Sequence, residues 1–310
     1  MRILVLATAA FAVPSLEALV THGHQIVGCL TQPQRPQGRG LLRLPSPVKT
    51  AAARLGLPVE EPENLGGHLA DIQSRHPDLG VVISYGRLIP VSYLQTPRHG
   101  MLGVHPSLLP KYRGAGPMMW AILNGESETG LTIFRLNDRL DAGDILLQRT
   151  AAIEPRETAE RLSDRLAHLG AALLLDAVRR LEEGTAAFRP QDERQATYAP
   201  KLTKHHGRID WQHGAESIDR QIRAMKPWPG TYTEWRGQPL KIAAASLGPS
   251  AGEGRPGQVV KVSPEGLAVA TGHGLLVIEE LQPAGRRQMP VRDFLAGHEV
   301  KIGECFGEDA

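Results

Sequence analysis

The first 31 residues constrain the fold more than any other part of the chain. A short apolar run over residues 2–6 predicts a buried strand, and residues 25–31 predict a second one. The segment between them predicts a helix, because Pro14 suits a first helical turn and Gly23 suits the position after the last turn. Two strands joined through a helix are typical of a parallel sheet, so the chain begins as an α/β domain. The Gly-x-Gly-x-x-Gly pattern of dinucleotide sites does not follow the first strand.

Composition limits the classes of protein to which the chain can belong. Of its 310 residues, 41% are hydrophobic and 22% are charged, which is typical of a folded globular protein. We expect no membrane-spanning helix, because no apolar run approaches the roughly 18 residues that a span needs. The net charge of +2 is too small to indicate a uniformly basic, nucleic-acid-binding surface, so any such surface depends on local placement.

The cysteines and the N-terminus indicate where the chain works. Cys29 and Cys305 show no metal-ligand spacing, and we interpret them as free thiols in a reducing compartment. One basic residue precedes the short apolar run at the N-terminus, which favours a first strand over a signal peptide. We therefore expect a cytoplasmic protein.

The pattern of the chain changes after residue 184. The following polar stretch lacks periodicity, which suits a linker over residues 185–206. Beyond it, short strands separated by glycines predict a small antiparallel barrel over residues 207–310. The predicted strands are Thr231–Trp235, Pro239–Ala245, Gln258–Val262, Leu267–Ala270 and Leu275–Glu280. The sequence thus predicts an α/β domain over 1–184, a linker, and a smaller β domain.

A histidine and a carboxylate are the candidate catalytic pair. His105 ends an apolar run and is followed by two prolines, which places it at the carboxyl end of a predicted strand, where ligands bind in such sheets. Asp141 lies further along in an Asp-x-Gly-Asp turn. The two side chains are sufficient to move a proton near neutral pH. An isolated histidine and carboxylate are more often structural than catalytic. The pair supports a catalytic role only together with the sequence around it.

A long basic loop follows the second predicted strand. Between Thr31 and Thr50 the chain has four basic residues and no acidic one, on a scaffold rich in glycine and proline. One interpretation is a solvated, mobile loop; the other is a clamp for phosphate groups. The residues alone favour neither.

Several motifs together resemble the folate-dependent formyltransferases, and among them the enzymes that formylate methionyl-tRNA. The resemblance spans essentially the whole chain, and the motifs of its second half are the most specific. The matching stretches are residues 11–19, 32–40, 45–49, His-Pro-Ser-Leu-Leu-Pro over 105–110, Leu-Asp-Ala-Gly-Asp over 140–144, 198–202, 208–211, 222–230 and 281–285.

The resemblance implies both a fold and a reaction. The fold would be a Rossmann-like catalytic domain with a mostly parallel sheet, followed over residues 207–310 by an OB-like β-barrel domain that binds tRNA. The reaction would transfer a formyl group from 10-formyltetrahydrofolate to the α-amino group of methionyl initiator tRNA, without a metal. The basic loop would enter the acceptor stem, which favours the clamp interpretation. We also expect a monomer.

The resemblance also implies roles for individual residues. His105 would carry the proton between the amine and the folate nitrogen, and Asp141 would orient the histidine ring and stabilise its cationic form. The implied folate-binding residues are Tyr85, Gly86, Ile89, Pro90, Ser107, Leu108, Leu109, Pro110 and Asp144. The implied tRNA-binding residues are Arg35, Arg39 and Arg43.

Two positions depart from the family pattern. The family has an asparagine two residues before the histidine, and its amide stabilises the negative formyl oxygen, whereas this chain has Gly103. Removing such a donor typically lowers kcat by about 10²–10³-fold. The family's Gly-Thr-Pro-Asp-Phe turn reads Ala-Thr-Ala-Ala-Phe over residues 7–11. Three interpretations follow: an enzyme with a substitute donor, a slow enzyme, or an inactive protein that binds tRNA or folate.

Overall fold

A computed structural model describes residues 1–34, 36–37, 42–249 and 254–307. It divides into two compact units. The first comprises residues 1–117, 128–152 and 163–200, and the second comprises 118–127, 153–162 and the chain from Lys201 onward. The predicted boundaries at residues 184 and 206 stay predictions.

The helices begin and end close to their sequence signals. Ser46 caps the second helix by accepting a hydrogen bond from the Lys49 N–H at 3.1 Å, and Pro47 occupies its first turn. The helices are α1 Val13–Thr21, α2 Pro47–Arg54, α3 Leu69–Ser74, α4 Val91–Leu94, α5 Pro117–Leu123, α6 Ala159–Glu182, α7 Ala215–Ala224 and α8 Val291–Leu295. Short 3₁₀ turns lie at Ala10–Ala12, Leu65–His68, Glu193–Gln195 and Lys204–Gly207.

The first unit is built on a mostly parallel sheet. Its strands are β1 Arg2–Ala7, β2 Gln25–Leu30, β3 Pro36–Gln37, β4 Leu42–Arg43, β5 Val59–Glu60, β6 Leu79–Ile83, β7 Met101–His105, β8 Glu128–Arg135 and β9 Ile145–Ala152. Seven of them form one sheet in the order β5-β2-β1-β6-β7-β8-β9, and β3 pairs with β4. Pairing is parallel from β5 to β7 and antiparallel across β7-β8-β9. The predicted α/β class is confirmed.

The central strands explain the apolar runs of the sequence. Residues 3–7 of β1 are all buried, and so are all five residues of β7. A strand buried on both faces has a continuous apolar run because neither face meets water. Because β6 and β7 are parallel neighbours, their carboxyl ends lead into loops at the same edge of the sheet. The candidate residues lie at this edge.

The second unit contains an antiparallel sheet. Its strands are β10 Thr231–Trp235, β11 Gln238–Leu247, β12 Val259–Ser263, β13 Gly266–Ala270, β14 Leu275–Pro283 and β15 Met289–Pro290. The order is β10-β11-β14-β13-β12, with β15 against β14. All five predicted strands are present. Where a strand differs from the prediction, it differs only in the residues at which it begins or ends. The amphipathic helix α7 was not predicted; its Ile218 and Ile222 join the core of this unit.

No helix among the described residues is both long and apolar enough to cross a membrane.

Candidate active site

His105 is the last residue of β7, between β6 on one side and β8 on the other. Its side chain is buried. The chain then enters the segment 106–116, which we call the site loop. Because β6 and β7 are parallel, the site loop and the segment after β6 leave the same edge of the sheet.

The two ring nitrogens of His105 have different partners. Nε2 lies 2.9 Å from the carbonyl oxygen of Tyr112. A carbonyl can only accept a hydrogen bond, so Nε2 carries the proton in the neutral ring. Nδ1 is then the unprotonated nitrogen, and it lies 3.7 Å from Oδ2 of Asp141. That distance is too long for a hydrogen bond but short enough for an ion pair once the ring is protonated.

Asp141 is held by the backbone around it. Its Oδ2 accepts a hydrogen bond from the Gly114 N–H at 2.8 Å. Its own backbone is left-handed, with φ of 49°, which a non-glycine residue adopts only when its surroundings impose it. At Gly143, a Cβ would lie 1.7 Å from the Arg135 carbonyl oxygen, so only glycine fits this turn. The turn therefore fixes where the carboxylate points.

The space beside Gly103 is filled by an aromatic ring. A Cβ on Gly103 would lie 2.4 Å from Cε1 of Phe134 and 2.9 Å from Cδ1 of Leu136. Phe134 is buried and meets the His105 ring edge to face, with the ring centroids 6.4 Å apart. A side chain at position 103 therefore cannot enter unless Phe134 moves.

The site loop is hydrogen-bonded internally and to β8. The hydroxyl of Ser107, which is fully buried, donates to the Lys111 carbonyl at 2.6 Å. Thr132 donates to the Ser107 carbonyl at 2.7 Å and accepts from the Leu109 N–H at 3.1 Å. These bonds satisfy polar groups that would be costly to bury unpaired, and they fix the path of the loop.

Comparison with known proteins identifies the family. A model described as formyl transferase matches residues 1–178, and one described as formyl transferase, C-terminal domain, matches residues 201–299. A methionyl-tRNA formyltransferase from Alkaliphilus oremlandii is 42% identical over 99% of this chain and 100% of its own length. The corresponding protein of Solibacter usitatus is 45% identical, over 99% of each chain. The chain belongs to the methionyl-tRNA formyltransferase family.

Solved structures of lower identity share the fold. HypX from Aquifex aeolicus, in complex with tetrahydrofolic acid, is 20% identical and has a TM-score of 0.69, covering 98% of this chain and 50% of that chain. The sugar 3N-formyl transferase WlaRD is 17% identical, with a TM-score of 0.66 over 93% of this chain and 99% of that one. The antiparallel sheet of the second unit lies within residues 201–299, which match the OB-like C-terminal domain of this formyltransferase family.

Eight of the nine predicted folate-binding residues of this formyltransferase fall into two groups. Ser107, Leu108, Leu109 and Pro110 belong to the site loop, and the structure places them directly after His105. Tyr85, Gly86, Ile89 and Pro90 belong to residues 84–90, between β6 and α4, which we call the exposed loop. It follows β6, and Leu88 at its tip is 88% exposed.

Tyr85 is unusual within the exposed loop. Its side chain is buried, and its hydroxyl has no hydrogen-bond partner among the described residues. Burial raises the pKa of this phenol, so the hydroxyl is protonated and available as a donor. The backbone carbonyl of Tyr85 accepts hydrogen bonds from the side chains of Gln32 and Thr8. The loop is thus fixed at Tyr85, and the Arg87 side chain beside Leu88 also donates to the Pro62 and Glu63 carbonyls, at 3.2 and 2.8 Å.

The remaining predicted residues are less closely tied to the site. The side chain of Asp144 is exposed, while its carbonyl accepts a hydrogen bond from the Arg135 N–H at 2.8 Å. Arg35 and Arg39 lie outside the described residues, and of Arg43 only the backbone, in β4, is described. Their predicted role in tRNA binding stays a prediction. In the described part of the chain, no three His, Cys, Asp or Glu side chains cluster as metal ligands would.

Sequence reasoning missed the polar stretch that follows α6. Its backbone bonds to the site loop: Arg113 donates to the Thr197 carbonyl at 2.9 Å, and Ala199 donates to the Arg113 carbonyl at 2.7 Å. Tyr112 also donates its N–H to the Thr197 hydroxyl at 2.9 Å. The contacts were not predicted because the stretch, which has no apolar periodicity, was interpreted as a linker, and the family motif at residues 198–202 does not indicate what it contacts.

Proposed function

We propose that this formyltransferase transfers a formyl group from 10-formyltetrahydrofolate to the α-amino group of methionyl initiator tRNA, with His105 as the proton carrier. The observation that carries the proposal is the fixed orientation of His105. Its Nε2 is bound to the Tyr112 carbonyl, and its Nδ1 is left as a base near the Asp141 carboxylate. Full-length similarity to methionyl-tRNA formyltransferases supports the choice of substrates.

His105 serves both proton transfers of the reaction. As the amine nitrogen bonds to the formyl carbon, Nδ1 takes the proton that the amine loses. The protonated ring then gives this proton to the folate nitrogen that leaves as the second carbon–nitrogen bond breaks. The Asp141 carboxylate stabilises the imidazolium between the two transfers, and the Tyr112 carbonyl keeps the ring from turning.

The exposed loop fits the folate co-substrate. When bound, 10-formyltetrahydrofolate supplies the activated formyl group. The unpaired hydroxyl of Tyr85 offers a donor, while Ile89 and the exposed Leu88 offer apolar surface. Ligand sites that combine apolar surface with a few polar groups are typical for such molecules. The site loop completes the cleft from the His105 side.

Position 103 supplies no side-chain donor for the negative oxygen that forms during transfer. A backbone amide or an ordered water takes that role in an active enzyme, and a slow enzyme results if neither does. The only observations that favour an inactive binding protein are the two departures from the family pattern, at Gly103 and at residues 7–11. His105 and Asp141 are both held in place, His105 by the Tyr112 carbonyl and Asp141 by the Gly114 N–H, which favours an active enzyme.

The basic loop would bind the acceptor stem through Arg35, Arg39 and Arg43. We expect Arg39→Ala to weaken tRNA binding and to make the affinity less dependent on salt, because each lost phosphate contact lowers the number of released counterions. Affinity measured across a series of salt concentrations tests this. An unchanged salt dependence would contradict the role of Arg39. The enzyme is proposed to act as a monomer.

Formylation by the purified protein tests the proposed function directly. The assay supplies 10-formyltetrahydrofolate with methionyl initiator tRNA, and a methionyl elongator tRNA serves as the control. Robust turnover on the initiator tRNA alone is expected. Tight binding of tRNA without turnover would instead mean that the chain binds this substrate and does not react with it.

A further inference from the structure

One segment of the chain contacts both the site loop and the turn that carries Asp141. This segment, residues 189–199, which we call the site strap, pairs with the start of β9: Arg189 and Ile145 exchange two backbone hydrogen bonds of 2.8 and 2.9 Å. At its other end it binds the site loop through Thr197 and Ala199. The strap therefore touches the turn that carries Asp141 and the loop that carries Tyr112.

The side chain of Gln191 links the turn that carries Asp141 to the site loop. Its Nε2 donates to the Asp141 carbonyl at 2.8 Å and to the Gly143 carbonyl at 2.7 Å. Its Oε1 accepts from Nε and a terminal nitrogen of Arg113, at 3.1 and 2.8 Å. Carbonyls only accept and guanidinium groups only donate, so the orientation of the amide is determined. Both amide protons and both oxygen lone pairs are used.

Arg113 is a rigid anchor for this link. Its side chain is 1% exposed, and it forms a two-pronged ion pair with Glu193, with both nitrogen–oxygen distances 3.0 Å. The hydrogen bond with Glu193 raises the pKa of the guanidinium, which keeps it charged and a donor. Arg113 follows Tyr112, which binds His105, and precedes Gly114, which binds Asp141.

We propose that Gln191 is a positioning residue for formyl transfer. It holds the Asp141 turn in its left-handed backbone conformation and thereby keeps the carboxylate opposite Nδ1 of His105. It acts through Asp141 and does not touch the reacting atoms. The inference rests on the proposed function. A displacement of about 1 Å at a catalytic group can reduce the rate by about 10²-fold, so even a small shift of the turn is measurable.

Two variants separate positioning from simple support of the fold. Gln191→Glu keeps an acceptor for Arg113 but loses both protons that reach the Asp141 turn. Gln191→Met keeps the length of the side chain and loses both halves of the link. Glu193→Gln is the matched control, because it weakens the other partner of Arg113 and the ion pair with Arg139 while both hydrogen bonds from Gln191 to the Asp141 turn remain.

We expect Gln191→Glu to lower kcat by about 10–100-fold while KM for both substrates stays within about twofold. Loss of two carbonyl partners should lower its melting temperature by a few degrees, so kcat is measured well below the unfolding transition of every variant. Glu193→Gln should keep kcat within about threefold. In an Asp141→Ala background, Gln191→Glu should cause no further loss, because residues that act as a unit are not additive. An additive loss, or a loss confined to KM and stability in both Gln191 variants, would overturn the proposal.

The wild-type protein separates the two hypotheses. If it does not formylate methionyl-tRNA, the proposed function fails. If it formylates the tRNA and both Gln191 variants do so at the wild-type rate, only the positioning role fails.

Discussion

The exposed loop and the site loop leave neighbouring parallel strands at the same edge of the sheet, yet they are built differently. The exposed loop presents Leu88 to solvent, with 88% of its surface accessible. The site loop buries Ser107 and Arg113 almost completely and satisfies both with hydrogen bonds. The difference shows that a loop that positions a proton carrier must be rigid, whereas a loop that binds a ligand must be accessible. A base must be fixed within fractions of an ångström, whereas a surface that receives a ligand must stay accessible.

The cause of the difference lies in what each loop packs against. The site loop lies between β8, through Thr132, and the site strap, through Thr197. The exposed loop is bound through the Tyr85 carbonyl, which accepts hydrogen bonds from Gln32 and Thr8, and through the Arg87 side chain, which donates to two backbone carbonyls. The Leu88 side chain between these contacts and α4 faces solvent. The contrast predicts that substitutions in the site loop and β7 change chemistry or stability, while those at Leu88 change only ligand binding.

The largest effect is expected from His105→Ala. Loss of the only base held between Tyr112 and Asp141 should lower kcat by about 10²–10⁴-fold, with tRNA affinity nearly unchanged. Single-turnover kinetics and a binding titration measure the two quantities. His213→Ala, at a side chain that is 63% exposed in the second unit, is the control and should behave as the wild type. A large loss of tRNA binding with intact chemistry would move His105 from catalysis to recognition.

The next largest effect is expected from Gly103→Asn. Restoring the asparagine of the family should not accelerate the enzyme by itself, because its Cβ would collide with the Phe134 ring. Overpacking of this kind typically costs about 1–3 kcal/mol. Chemical denaturation should therefore show a less stable variant. The double variant with Phe134→Leu should recover part of that loss, since the colliding ring atoms are gone.

The same pair of variants tests for the missing oxyanion donor. If the double variant is at least about tenfold faster than Phe134→Leu alone, the native site has no efficient donor. Equal rates would mean that a substitute donor already operates. A Gly103→Asn single variant as stable as the wild type would contradict the packing argument.

A smaller effect is expected from Ser107→Ala in the site loop. The substitution removes the 2.6 Å hydrogen bond from the buried Ser107 hydroxyl to the Lys111 carbonyl, which should lower the free energy of unfolding by about 0.5–1.5 kcal/mol. Urea denaturation measures it. Ser92→Ala, at an exposed position beside the other loop, should leave stability unchanged. Equal effects of the two substitutions would remove the contrast between the loops.

The smallest effect is expected from Leu88→Ser. An exposed side chain contributes little to stability, so the melting temperature should not change. If the exposed loop receives the folate co-substrate, KM for 10-formyltetrahydrofolate should rise a few-fold while kcat stays constant. Ile302→Ser, at a residue 69% exposed in the second unit, is the matched control. An unchanged KM would place the folate elsewhere than at Leu88.

The sequence by itself determined the arrangement of elements and the identity of the chemical pair. The buried strands β1 and β7, the cap of α2 at Ser46 and the short strands of the second unit follow from apolar periodicity and turn residues. These signals are local, because each depends on residues a few positions apart. His105 and Asp141 were also visible in the sequence, through their motifs.

Only the tertiary structure decided how that pair is oriented and what surrounds it. Which His105 nitrogen is unprotonated depends on the Tyr112 carbonyl, and the space that a side chain at position 103 would need is filled by the Phe134 ring. Gln191 reaches Asp141 across a separation of 50 residues. Such contacts join polar groups that are far apart in the sequence, so local sequence periodicity does not predict them. They exist because each buried polar group must find a partner, and only the folded chain determines which partner lies within reach.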